Sequence, residues 1–279
     1  MRLNRELVCS AFAQYVSAYN AEDPKIKLKI DHTYRVADLC DTISKTVCEP
    51  ASPASPMSTV SSTSPMPPIS ADPDLAWLTG MLHDIGRFEQ VRRYNTFSDA
   101  LSVDHAEFGA DLLFKEGLLE SFIPDYQKSA DITEEELRIL ELSIRCHSAY
   151  RLPQGLSAQE EQYCHILRDA DKIDIFRVNW ETPMEDIYNV STEVLKNAEV
   201  SEEVKQCFHD RTAVLRPMKK TPADHLVGHI CLIFELQYPI SRKIAQDQGY
   251  WNKLLAFHSD NPETQAWFDY MNQNLQEQP

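Results

Sequence analysis

Glycine is scarce in this sequence, at 7 of 279 residues. Hairpins and tight turns draw on it for backbone conformations that other residues resist, so the shortage tilts the reading away from β structure and towards helix. Long apolar runs are missing too. None approaches the ~20 residues a membrane-crossing helix needs, and charged residues interrupt the apolar ones over residues 1–20, unlike a signal peptide. No membrane partner is expected. The seven cysteines include no CxxC pair and no metal-finger spacing, and their number is odd. They read as reduced core thiols, so a cytoplasmic location is the expectation. Positive charge is in short supply: 27 Lys and Arg stand against 43 Asp and Glu, a formal net charge of −16. Such a surface repels phosphate backbones and anionic lipid, which excludes non-specific binding of duplex nucleic acid. Any site for an anionic substrate must carry its own local positive charge.

What is present is helical periodicity. Leu3, Leu7, Phe12, Tyr15, Val16 and Tyr19 recur at spacings near 3.6, a first amphipathic helix. His32, Val36, Leu39 and Ile43 share a face of a second. Leu78, Leu82 and Ile85 mark a third, read as one helix from Leu75 to about Arg93, and a fourth begins near Val103 with His105, Phe108 and Leu112. Thr133 with Glu136, and Ser157 with Glu160, have capping-box spacing and open two more. Thr221-Pro222 reads as an N-cap followed by proline at the first helical position, opening a helix towards Gln246. No strand pattern and no internal repeat stand out. One stretch is foreign: residues 50–73 are dominated by Pro, Ser and Thr and read as a disordered loop between helices. The fold class is therefore all-α.

Four of these helices carry a polar residue where an apolar one is expected. His32 lines up with Val36 and Leu39, and His83-Asp84 interrupts an apolar stripe. His147 continues Leu137, Leu140 and Ile144, and Asp171 follows Leu167 and Ala170. A buried charge without a partner costs on the order of several kcal/mol. Singly, each has a plain explanation, such as a hydrogen-bonded core histidine or an Asp paired with an Arg. Jointly, one shared partner accounts for all of them: a metal, or two. His225 and His229 also have metal-ligand spacing but lack an accompanying acid motif, and they are set aside.

The stretches IDHTYRVADLC, WLTGMLHDIGRFEQ, DHAEFGADLLF, IRCHSAY and ILRDADKIDIF, from Ile30 to about Phe176, resemble the HD superfamily of metal-dependent phosphohydrolases. LHDIGR and DADKID are the most specific phrases. The resemblance implies a helical bundle, taken as residues 1–180. Residues 181–279 match no motif; helix starts at Ser201 and Pro222 and an aromatic-rich end make them read as a helical C-terminal extension packed on the bundle, offering a pocket wall or a homodimer face. The resemblance also implies one divalent transition metal (Mn, Fe, Co, Ni or Zn) on His32, His83, Asp84 and Asp171. A second would lie on His105 and His147, with the Asp84 carboxylate bridging both. Asp84 would orient a metal-activated hydroxide, and Arg87 and Lys172 would meet a substrate phosphate. The substrate would be a nucleotide-like or other small phosphorylated compound. Two other readings share the ligand set: a di-iron oxygenase, and a nucleotide-sensing domain without catalysis. Asp104 and Asp174 are expected to be solvated or salt-bridged, with a supporting role for ligand imidazoles as the alternative.

Overall fold

In a computed structural model, residues 1–20, 22–47, 70–128 and 131–276 are described. The Pro/Ser-rich stretch read as a loop lies almost wholly outside them. Among the described residues every regular element is helical. The chain divides into two compact units, Met1–Ala170 and Asp171–Pro279, and the border falls inside one continuous helix.

The first unit holds α1 (Arg5–Val16), α2 (Pro24–Val47), α3 (Pro73–Leu82), α4 (Ile85–Tyr94), α5 (His105–Ala110), α6 (Leu119–Phe122), α7 (Glu134–Cys146) and the start of α8 (Ala158–Glu181). Their starts obey local chemistry. Asn4 caps α1, and Asp72, followed by Pro73, caps α3. The Thr133–Glu136 capping box is fully formed. The Ser157–Glu160 exchange also forms, at 2.7 and 3.3 Å. The buried stripe of α1 is Val8, Phe12 and Val16; Leu7, expected inside, is 56% exposed, because the true face is rotated by one residue.

An aromatic cluster ties α1 to the rest. Phe12 meets Tyr34 and Phe88 edge-on at 5.4 and 5.9 Å. Tyr15 donates from its hydroxyl to the carbonyl of Ile85 at 3.2 Å, and Tyr19 donates to Glu89. Both bonds land on α4, just past His83-Asp84.

Two glycines set how closely the helices approach. A Cβ on Gly80 of α3 would lie 2.6 Å from the Cα of Ala37 on α2. A Cβ on Gly86 of α4 would lie 2.4 Å from the carbonyl oxygen of His105 and 2.7 Å from the amide of Gly109 on α5. Real Cβ atoms essentially never come under 3.0 Å, so each crossing exists because no side chain intervenes.

The second unit contains the end of α8, then α9 (Met184–Tyr188), α10 (Thr192–Asn197), α11 (Glu202–His209), α12 (Pro222–Ile230), α13 (Pro239–Gln248), α14 (Tyr250–Leu255) and α15 (Pro262–Gln276). Thr221 and Asp224 form the capping box of α12. Asp224, fully buried, also accepts from the amide and hydroxyl of Ser201 and from the amide of Lys220, at 2.8–2.9 Å. The helix expected to run to Gln246 stops at Ile230; Pro239, which has no amide hydrogen to offer a preceding turn, restarts the chain as α13. The aromatic end is helical, with Trp251 donating to the Ile230 carbonyl at 3.0 Å. Among the described residues no helix is long and apolar enough to cross a membrane, and no described cysteine is in a disulfide.

Candidate metal centre

The site begins with a broken helix. The expected helix over Leu75–Arg93 is two, α3 and α4, interrupted at His83-Asp84. Asp84 sits at the N-cap position of α4 with φ −101° and ψ 14°, and its side chain makes no capping bond. Aspartate is among the preferred capping residues. Here its carboxylate is turned instead towards four histidines and a lysine.

The two carboxylate oxygens face different partners. Oδ2 lies 3.6 Å from Nε2 of His32 and 3.6 Å from Nε2 of His83, and those two nitrogens are 3.3 Å apart. Oδ1 lies 3.4 Å from Nε2 of His105 and 3.8 Å from Nε2 of His147, and those two are 2.9 Å apart. His83, Asp84 and His147 offer ligand atoms all within 4.8 Å of one another. His32, His83, Asp84, His105 and His147 are all buried, at 5% exposure or less.

The outer nitrogens explain the convergence. Nδ1 of His83 lies 2.7 Å from the carbonyl of Gly80, and Nδ1 of His147 lies 2.7 Å from the carbonyl of Ile144. A carbonyl only accepts, so each Nδ1 carries a proton, and Nε2 is the ring nitrogen turned inward, where an unprotonated ring offers a lone pair. Nδ1 of His105 faces the Asp99 carboxylate at 2.9 and 3.1 Å, with the same result. Burial first, then Arg87 and His147, push the His105 imidazole down to about 4, against the opposing pull of Asp99 and Asp84. Nε2 atoms 2.9 Å apart need a proton or a metal shared between them. Nitrogens bound ~2.0–2.1 Å from one tetrahedral metal would be spaced about 3.3 Å apart, close to both histidine pairs. The donor set therefore fits divalent metal.

Other charges complete the setting. Lys29, one turn before His32 on α2, donates from Nζ to Asp84 Oδ2 at 2.6 Å. Burial would raise the Asp84 pKa, but Lys29, His83, His105 and Arg87 hold it well below the usual carboxylate range. Arg87 does not reach outward. Its Nη1 donates to the Phe97 carbonyl at 2.6 Å, to Asp99 at 2.7 Å and to Gln90 at 2.9 Å, while Nε stands 3.7 Å from Asp84 Oδ1 without a hydrogen bond. Asp99 thus holds both His105 and Arg87; burial would raise its pKa, but His105, Arg87 and Gln90 bring it down strongly. Arg168 of α8 donates to the carbonyls of Cys146 and His147, at 3.1 and 3.4 Å, and of Ala149. It fixes the chain end on which His147 sits.

Asp171 is half-buried and Lys172 buried; both open the second unit in the same unbroken helix. Asp104, expected to be solvated, salt-bridged or supporting a ligand, caps α5 by accepting from the amides of Ala106 and Glu107. Asp174, expected to be solvated, salt-bridged or supporting a ligand, is buried at 2% exposure and so is not solvated. His229 lies beside Tyr188, its Nδ1 3.3 Å from the tyrosine hydroxyl. Lys29, Asp99 and Arg168 were not singled out from sequence. Lys29 left a readable trace, three residues ahead of His32 on one helix. Asp99 opens a single 3-10 turn, Asp99–Leu101, too short for any periodicity to point to it.

The sequence model of the HD domain matches residues 30–175. No curated protein and no solved structure matches the chain. The match spans just over half of the 279 residues and includes every histidine gathered around Asp84, and the chain belongs to the HD superfamily, a family of metal-dependent phosphohydrolases.

Proposed function

We propose that this protein is a phosphohydrolase that cleaves a phosphomonoester, phosphodiester or phosphoanhydride of a nucleotide-like or other small phosphorylated substrate, using two divalent transition metals. One would be held by His32, His83, Oδ2 of Asp84 and Asp171. The other would be held by Oδ1 of Asp84, His105 and His147. The observation that carries the reading is the division of the Asp84 oxygens between two histidine pairs, at 3.6 and 3.6 Å on one side and 3.4 and 3.8 Å on the other. Helix geometry supports Asp171 as the remaining ligand: it follows Arg168 by three residues on α8, and residues so spaced are neighbours on a helix surface.

Metals so placed would supply charge for phosphoryl oxygens and acidify a water. The chain's own residues do the rest. Backbone carbonyls and Asp99 hold three imidazoles in one tautomer, so no reorganisation is needed when ligands bind. Asp84 orients the attacking water. Arg87, committed to Asp99 and Phe97, adds its charge from the Oδ1 side, and Lys172 is a second cation beside Asp171.

The test is to strip the purified protein with chelator, reload it with Mn, Fe, Co, Ni and Zn in turn, and screen phosphorylated metabolites for released phosphate. About two metal equivalents and metal-dependent phosphate release are expected, both lost in Asp84→Asn. Iron-dependent oxygen consumption without phosphate release would replace the hydrolase by an oxygenase. Metal or nucleotide binding with neither activity would leave a sensing domain.

A further inference from the structure

Lys29 is the one lysine whose ammonium touches the central carboxylate among the described contacts, and it does so on one particular oxygen. Its Nζ lies 2.6 Å from Asp84 Oδ2, the oxygen that also stands 3.6 Å from Nε2 of His32 and of His83. Its side chain is 20% exposed against 3% for Asp84, so Lys29 keeps contact with solvent while holding a buried carboxylate. The opposite oxygen faces the Arg87 guanidinium at 3.7 Å, but that group is anchored by three further acceptors. Lys29 has no such anchor: Asp84 is the only acceptor recorded for its ammonium. A lysine is a compact charge on a flexible four-carbon stem. It can change partner without moving α2, whose backbone there is fastened by Thr33 donating to the Lys29 carbonyl at 2.9 Å.

A monovalent ammonium and a divalent metal both seek Oδ2, and they repel each other across it. An ammonium displaced from Oδ2 would remain beside the His32 and His83 pair, within reach of an anion bound there. With a net charge of −16, the chain must receive such an anion on local cations. We propose that Lys29 exchanges partners: it neutralises Asp84 in the metal-free protein, yields Oδ2 to the metal, and then binds a phosphoryl oxygen of the substrate. This rests on the hydrolase reading for the last step only.

Lys29→Met and Lys29→Arg test it in the full chain. In calorimetric titration of chelator-treated protein with Mn alone, Lys29→Met should bind roughly ten-fold more tightly, because no ammonium has to be expelled. Metal-free Lys29→Met should also melt at lower temperature, since Asp84 loses its closest counter-ion. In the metal-loaded protein, inorganic phosphate should bind Lys29→Met at least ten-fold more weakly, and Lys29→Arg should restore most of that loss. Unchanged or weaker metal affinity in Lys29→Met, in a protein that melts cooperatively, would overturn the exchange. Tighter metal with unchanged phosphate affinity would overturn it as well. If no substrate releases phosphate yet both binding shifts appear, the hydrolase reading falls while the exchange stands.

Discussion

Replacing Gly86 by alanine adds one methyl group and should dismantle half of the metal centre. Its Cβ would lie 2.4 Å from the His105 carbonyl oxygen, 2.7 Å from the Gly109 amide nitrogen and 2.9 Å from the Gly109 Cα. Ordinary contact begins at 3.4 Å, so α5 must retreat by about 1 Å, and all three obstacles are backbone. Alanine is the better helix former, which alone would stabilise α4 by about 0.5–1 kcal/mol. Overpacking against rigid backbone costs about 1–3 kcal/mol, sometimes more, so the clash wins. A net loss of about 1–2 kcal/mol lowers Tm by about 2–8 °C for a unit of this size. The functional effect is larger than the stability effect. His105 leads α5, and its Nε2 must stay near Asp84 Oδ1 and His147, now 3.4 and 2.9 Å away. Metal sites tolerate about 0.2 Å. Gly86→Ala should therefore keep one metal equivalent and lose the other, measured by elemental analysis beside a thermal melt. Gly109→Ala is the milder control, because its Cβ would come no closer than 3.0 Å to anything. A Gly86→Ala protein with wild-type Tm and two metal equivalents would refute the argument.

Two further outcomes follow from the same geometry. His147→Ala should remove about one metal equivalent and most turnover; unchanged metal content with weakened substrate binding would instead make His105 and His147 substrate contacts. The metal-free protein should lose stability as pH falls from about 6.5 to about 4. The His105 imidazole accepts a proton only near 4 in the folded state but near 6.5 when unfolded, so the unfolded chain binds more protons throughout that window and gains on acidification. The full effect of that group is about 3 kcal/mol, read as a falling urea midpoint that flattens in His105→Gln. A midpoint constant across the window would sink it.

Much of the helical order was legible because burial leaves a period. Val36 and Ile43 on α2, and Leu140 and Ile144 on α7, are buried as their spacing requires, and the paired caps at Thr133 and Ser157 announce their helices by chemistry alone. The failures have physical causes. Leu7 and Val8 are adjacent and apolar, and period alone does not decide which faces inward. Pro239 carried its own warning against a helix running from Pro222 to Gln246. The break at His83-Asp84 carried none, since HDIG continues the apolar rhythm on either side. The helix breaks where the Asp84 backbone leaves the helical region, and there its carboxylate faces the histidines rather than its own amides.

The site was legible wherever an imidazole or carboxylate interrupted an apolar stripe, because the burial that makes a stripe also makes a polar residue on it conspicuous. Lys29 and Asp99 interrupt nothing. One rides at the solvent edge of α2 and the other in a short turn, and their importance lies in distances of 2.6 and 2.9 Å that no spacing encodes. Glycine links the two levels. A sequence with so few has little need of turns, which is why composition pointed to helices. The same scarcity makes those inside helices informative. Gly80 lets α3 lie against α2, bringing His83 to His32, and Gly86 lets α4 lie against α5, bringing Asp84 to His105. The two closest helix crossings in the first unit's glycine contacts are thus the two that assemble the opposite halves of one centre, and a side chain at either would part the ligands that the sequence set in order.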